Sequence, residues 1–260
     1  MSDAWGERRL SGKLLDGRAV IITGAGSANG IGRATAKLFA AHGARVAALD
    51  INADGARATG ALIGPQHLAV PCDVTRRESC ASAIEQVIQA FGTVDILVNN
   101  AALSRGTRIA DVTIEEYDEV QAINLRGTFF MSQLVLPTMR AAHSGNIVCL
   151  ASVAGQRGGG LYGSAHYAAS KAGVIGLGKA MARELAPDGI RVNIVSPSLI
   201  KTDGSPNDSA ERRGLFEKEV PMGRSGTVWD VAGAILFAAS DLSGYTTGAT
   251  IDVNGGFHIH

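Results

Sequence analysis

A chain of 260 residues with 46% hydrophobic and 18% charged side chains holds enough apolar material for one large α/β core. Its 24 basic and 24 acidic residues cancel, which excludes the basic stripe of a nucleic-acid binder and the lysine-rich face of a membrane-surface helix. No apolar run approaches the ~18 residues that span a bilayer, the start is charged rather than leader-like, and Cys72, Cys80 and Cys149 show neither disulfide nor metal spacing, so a reduced, cytoplasmic chain is expected.

After an N-terminal extension over 1–16, a single domain is expected over 17–260. Short apolar runs predict strands at Ala19–Thr23, Arg45–Asp50, His67–Cys72, Ile96–Val98, Gly145–Leu150, Arg191–Ser196 and Ala249–Val253. Helical patterns fall between them near 31–42, 76–91, 114–140, 166–186 and 228–240. This alternation predicts a Rossmann-type doubly wound parallel sheet of about seven strands. Two stretches interrupt it: a glycine-rich loop at 155–164, and a polar segment at 198–220 with a weak helix over Ala210–Glu219, expected to be the substrate loop.

The first strand runs into Gly24-Ala25-Gly26-Ser27-Ala28-Asn29-Gly30-Ile31-Gly32 and then a helix. A glycine-rich strand-to-helix turn lets backbone N–H groups and the positive helix end approach a pyrophosphate, although a turn needing positive φ would look the same. Asp50 closes the next strand, where a carboxylate can accept the ribose hydroxyls of NAD and repel a 2′-phosphate. Arg33 and Arg45 are the nearest cations that could argue for NADP. Tyr167 and Lys171, four apart on a helix, share one face, so an ammonium can favour the phenolate and the pair can move a proton on and off an alcohol oxygen. A core tyrosine beside a solvated lysine would show the same spacing.

Taken together in this order, these motifs resemble the short-chain dehydrogenase/reductase family from about residue 17 to 256. The glycine turn is two residues longer than that family's usual Thr-Gly-x-x-x-Gly-x-Gly, with Gly24, Gly30 and Gly32 aligned to its glycines. The resemblance implies cofactor contacts at Asn29, Ile31, Asp50 and Ile51; at Cys72, Asp73 and Val74 beside the adenine; and at Asn100, Ala101 and Ala102, where Ala102 replaces a glycine. It further implies Ser152 as the residue orienting the substrate oxygen, with Ser164 as a competitor, and Asn124 as part of a proton relay to Lys171. Pro197, Ile200 and Thr202 would hold the nicotinamide end, Tyr167 would be the general acid/base, and Lys171 would lower its pKa and bind the ribose. Tyr162 is set aside because His166 rather than lysine stands four residues on, and His166 is expected to shape the site. The terminal His258 and His260 are too few for a metal site.

The expected activity is hydride transfer between NAD(H) and a secondary alcohol or ketone. The alternatives are an NADPH-linked 3-oxoacyl thioester reductase of the same family and a non-enzymatic NAD-binding protein. Leu161, Leu215 and Phe216 are candidates for an apolar pocket wall, and the family likeness implies a homotetramer.

Overall fold

The computed structural model describes residues 12–159, 164–203 and 209–260. Its strands, in chain order, are β1 (Ala19–Thr23), β2 (Arg45–Asp50), β3 (Leu68–Pro71), β4 (Ile96–Asn99), β5 (Gly145–Leu150), β6 (Ile190–Pro197), β7 (Ile200–Lys201), β8 (Gly226–Thr227) and β9 (Thr250–Val253). Seven of them form one sheet in the order β3-β2-β1-β4-β5-β6-β9, every pair parallel. The helices are α1 (Ile31–Ala41), α2 (Ala53–Ile63), α3 (Arg77–Phe91), α4 (Ile114–Gln121), α5 (Gly127–Ala141), α6 (Val153–Arg157), α7 (Ala165–Leu185), α8 (Ala210–Glu219) and α9 (Val228–Ala239).

The period of two along each strand splits the core into two layers. Ala19 and Ile21 of β1 join Leu97, Ile147 and Ile194 on one face, under Ile84 and Val87 of α3, Met131 and Val135 of α5 and Val174 of α7. Val20 and Ile22 join Val46, Val98 and Val148 on the other, under Phe39 of α1 and Val231 and Ile235 of α9. Strands covered on both faces have no polar positions to spare, which is why they read as continuous apolar runs.

Since β1 lies between β2 and β4, the winding direction reverses at β1/β4. A crevice opens beyond the carboxyl ends of the strands at such a reversal, where open α/β sheets take ligands. The end of the N-terminal extension is part of the domain: Leu15 is buried and its N–H donates to the His42 carbonyl at 3.1 Å.

Four features depart from expectation. The helix α2 stands where none was expected, and the short α6 occupies part of the glycine-rich 155–164 loop. The single helix expected over 114–140 is interrupted by a π-helical turn over Ala122–Arg126. The small β7–β8 ribbon, pairing Ile200 with Gly226, was not expected either. Leu161 and Tyr162 lie outside the described residues.

Candidate active site

Strand β5 ends in Leu150, and Ser152 begins α6 as its N-cap, accepting the Ala154 N–H on its hydroxyl at 3.1 Å. Helix α6 lies directly on α7. A Cβ on Gly155 would come within 2.6 Å of the Ala172 nitrogen and 2.7 Å of the Lys171 carbonyl carbon, so glycine alone permits this approach. That contact brings Ser152 alongside Tyr167 and Lys171, one helical turn apart on α7.

The Lys171 side chain is buried, and its Nζ donates to the Leu150 carbonyl at 2.7 Å and sits 5.9 Å from the centre of the Tyr167 ring. Burial pulls its pKa from the ordinary 10.5 down to about 8. Burial pushes the Tyr167 phenol up from its ordinary value near 10, while the Ser152 hydroxyl pulls it back. Lys171 was expected to lower the tyrosine; with its ammonium turned to the Leu150 carbonyl, desolvation dominates instead.

Asn124 lies behind these groups, fully buried in the π-helical turn. Its amide clamps Leu103 from both sides, accepting the Leu103 N–H at 2.8 Å and donating to the Leu103 carbonyl at 3.0 Å. It also donates to Ser170 Oγ at 2.9 Å, and that hydroxyl donates to the Tyr167 carbonyl at 2.7 Å. In this arrangement the asparagine side chain fixes the loop after β4 and the backbone of α7. Ser164 sits at the N-cap of α7 without a side-chain hydrogen bond, away from Ser152. His166 turns to α4, its Nε2 3.1 Å from Glu116 Oε1.

A cavity of about 800 Å³ opens over this centre. Ser152, Tyr167 and Lys171 line it, together with Ile31, Asn100, Ala102, Pro197, Ile200 and Thr202. Of the apolar wall residues foreseen, Leu215 and Phe216 are present. Phe257 and Arg157 also line it and were not foreseen. Nothing in their local sequence marks them; the Phe257 ring reaches the cavity only because the chain end folds back onto Phe216, ring centres 4.8 Å apart.

The glycine turn leads to the same cavity. Gly24 adopts φ +67°, and a Cβ there would come within 2.7 Å of Ala101 Cα. Asn100 donates to the carbonyls of Thr23 and Gly24, both at 2.9 Å, tying β4 to the turn. Gly26, not singled out from sequence, donates its N–H to Asp50 Oδ2 at 2.7 Å, and Asp50 Oδ1 accepts from Asn52 at 2.9 Å. Asn29 faces the segment after β6 instead of the turn's interior: its N–H donates to Asp203 Oδ2 at 2.7 Å and its side chain to the Lys201 carbonyl at 3.3 Å. Ile51 is exposed beside Asp50, and Cys72 is buried. Asp73 Oδ1 accepts from Thr75 N and Oγ1, at 2.9 and 2.7 Å, shaping the turn before α3.

A short-chain type dehydrogenase/reductase of Sinorhizobium fredii, itself uncharacterized, is 50% identical over 252 residues, covering 95% of this chain and all of the relative. The chain belongs to the short-chain dehydrogenase/reductase family. A family model described as enoyl-(acyl carrier protein) reductase matches residues 24–258. The 3-oxoacyl-(acyl-carrier-protein) reductase of Escherichia coli is 39% identical over 245 residues, covering 94% of this chain and 99% of that one. The crystal structure of a short-chain type dehydrogenase/reductase from Mycobacterium marinum superposes with a TM-score of 0.90 at 34% identity, covering 96% and 99% of the two chains. As a short-chain dehydrogenase/reductase, the protein is an oxidoreductase that works with a nicotinamide cofactor.

The residues fit such a cofactor. Helix α1 starts at Gly30 with no capping side chain and no acidic residue in its first turn, leaving its positive end for a pyrophosphate. Within 25–29, the amides of Ala25, Gly26 and Asn29 are already engaged by Leu49, Asp50 and Asp203. Ser27 and Ala28, both exposed, and the first turn of α1 are left to meet phosphate oxygens.

Proposed function

We propose that the protein is an NAD-linked dehydrogenase that oxidises a secondary alcohol or reduces the corresponding ketone. The observation that carries the cofactor choice is the Asp50 carboxylate at the end of β2, with no free cation beside it among the described residues. Arg33 is consumed within the fold, donating to Thr59 Oγ1 at 2.8 Å and to the carbonyls of Gly26 and Gly55 at 2.8 and 3.2 Å. Arg45 sits at the opposite end of β2, over the Phe91 ring and donating to the Phe91 carbonyl. A 2′-phosphate would meet the Asp50 charge uncompensated, whereas ribose hydroxyls can donate to it.

When bound, the nicotinamide supplies the hydride acceptor or donor. Tyr167 takes the alcohol proton at its phenol oxygen in oxidation and returns it to the forming alkoxide in reduction. Ser152 holds the substrate oxygen beside that phenol, and Lys171, whose ammonium donates to the Leu150 carbonyl, would bind the cofactor ribose. The Asn124–Ser170 bridge keeps Tyr167 at its station. Pro197, Ile200 and Thr202 would bound the nicotinamide end, and Leu215 and Phe216, from the described part of the 198–220 segment, would serve the substrate side. We also take the protein to be a cytoplasmic homotetramer. The open sheet edge at β9 and the exposed Ile114, Tyr117, Phe129 and Trp229 support the assembly.

The name of the Escherichia coli relative favours a second reading, reduction of a 3-oxoacyl thioester, for which the family resemblance implies NADPH. Absorbance assays with NADH and NADPH against a ketone panel and a 3-oxoacyl thioester separate the two. NADH is expected to give the higher kcat/KM by about 10- to 100-fold; preference for NADPH would sink the NAD assignment. Tyr167→Phe is expected to keep NADH binding and lose turnover by about 100-fold or more, and wild-type turnover in that variant would remove the phenol from the mechanism.

A further inference from the structure

Arg157 is an exposed guanidinium that lines the cavity, on the helix that Ser152 starts. It ends α6, the short helix between Ser152 and the αL residue Gly158. At ~1.5 Å rise per residue its Cα stands roughly 7 Å along the helix from Ser152, the residue expected to hold the reacting oxygen. The guanidinium is held in place: its carbon lies 4.3 Å over the Phe257 ring, and Nη1 donates to the Phe257 carbonyl at 2.9 Å. Among the described residues this uses one of its five N–H groups and one of its faces, and leaves an edge for a ligand. The ordering of a long side chain is thereby met in advance, which favours a ligand that can accept two parallel hydrogen bonds. Apolar side chains line the same wall: Phe257 packs on Phe216 with the rings tilted by 51°, and Leu215 lines the cavity with them. Glu219 of α8 lines the same cavity, so a second anionic group on the ligand would be repelled.

Resting on the dehydrogenase reading above, we infer that Arg157 is the specificity residue of the substrate site and that the substrate is a hydroxy or oxo monocarboxylic acid. Its carboxylate is held by Arg157 a few bonds from the carbon whose oxygen meets Ser152 and Tyr167, and its carbon stem lies against Phe216 and Phe257. Arg157 does no chemistry; it chooses which alcohols enter.

The test is binding in the protein–NADH complex, read by NADH fluorescence, so it does not depend on turnover. The probes are acetoacetate and its neutral methyl ester. Acetoacetate is expected to bind about 10- to 100-fold more tightly than the ester. Arg157→Met is expected to bring the acid down to the ester's affinity, and Arg157→Lys to keep part of the difference. Arg126→Met, an exposed arginine away from the cavity, is the control and should leave the difference intact. Equal binding of acid and ester by the wild-type protein, or a preference for the acid that survives Arg157→Met, overturns the inference. A second pair identifies a carrier phosphate as the true anion. If Arg157→Met weakens acetoacetyl-coenzyme A but neither acetoacetate nor the acetoacetyl thioester of N-acetylcysteamine, the carboxylate assignment is wrong. Failure to bind NADH at all is a separate outcome that strikes the dehydrogenase reading; the acid–ester comparison is then made on the protein alone by calorimetry.

Discussion

Lys171→Met should abolish activity and at the same time remove a stability cost that the wild-type protein carries. The wild-type lysine is buried with its pKa pulled from 10.5 to about 8, a change in proton affinity worth ~3 kcal/mol. Because the folded pKa lies below the unfolded one, the unfolded chain holds the proton more tightly. Stability is therefore diminished by the full amount below about pH 8 and recovers as pH rises toward the unfolded value. Methionine fills a similar volume and cannot titrate. It leaves the Leu150 carbonyl without its 2.7 Å donor, which costs about 1–3 kcal/mol at every pH. At neutral pH the two effects largely offset, so the absolute stabilities should lie within ~2 kcal/mol of each other.

The slope is what discriminates. Urea unfolding of both proteins without cofactor, at one fixed protein concentration, is followed from pH 7 to pH 10. Wild-type stability should gain roughly 2–3 kcal/mol on Lys171→Met over that range. Parallel curves would mean that the ammonium is not desolvated, and the account of Lys171 as a buried, desolvated cation would fall with it.

Three further outcomes follow from the same geometry. Gly26→Ala places a Cβ within 2.6 Å of Asp50 Cγ and must displace the carboxylate, so KM for NAD should rise about 10-fold with kcat little changed; steady-state kinetics in NAD check it, and an unchanged KM would free Asp50 from the ribose role. Asp50→Ala should weaken NAD while leaving NADP no worse, narrowing the ratio of their kcat/KM values by about 10-fold or more; a ratio that stays fixed places discrimination elsewhere. Because burial raises the Tyr167 phenol, its base form is scarce at neutral pH, so alcohol oxidation should accelerate with each step toward alkaline pH while ketone reduction holds level near neutrality. A pH–rate profile for oxidation that is flat from about pH 7 to 9 would contradict that direction.

The sheet was legible because its strands are covered on both faces, and an apolar run bounded by glycines admits few other readings. Helix α2 was not, because Gly55 and Gly60 sit inside it and only Ala56 and Thr59 are buried, so no apolar period announces it. The glycine has a tertiary reason: a Cβ on Gly55 would come within 2.6 Å of the Gly26 carbonyl oxygen, so α2 buttresses the phosphate turn through its backbone. The π-helical turn escaped notice for a related reason, since the sequence around Asn124 keeps helical composition while the extra residue changes only the hydrogen-bond count.

The Tyr–Lys spacing and the acidic end of β2 are local signals, and local signals survive in a sequence. The substrate side of the cavity has no such code. Arg157 matters only because α6 lies on α7 at Gly155, and Phe257 only because the chain end returns to Phe216. Both conditions are set by packing between segments 17 and 41 residues apart, Gly155 against Ala172 and Phe216 against Phe257. The chemistry of hydride transfer needs a fixed set of groups at fixed spacings around one cofactor. The choice of alcohol needs only a wall of the right shape and charge, which any distant segment can supply. It follows that the reaction class should be readable from motifs in chains of this kind, and that the residues choosing the substrate, Arg157 among them, have to be found in three dimensions.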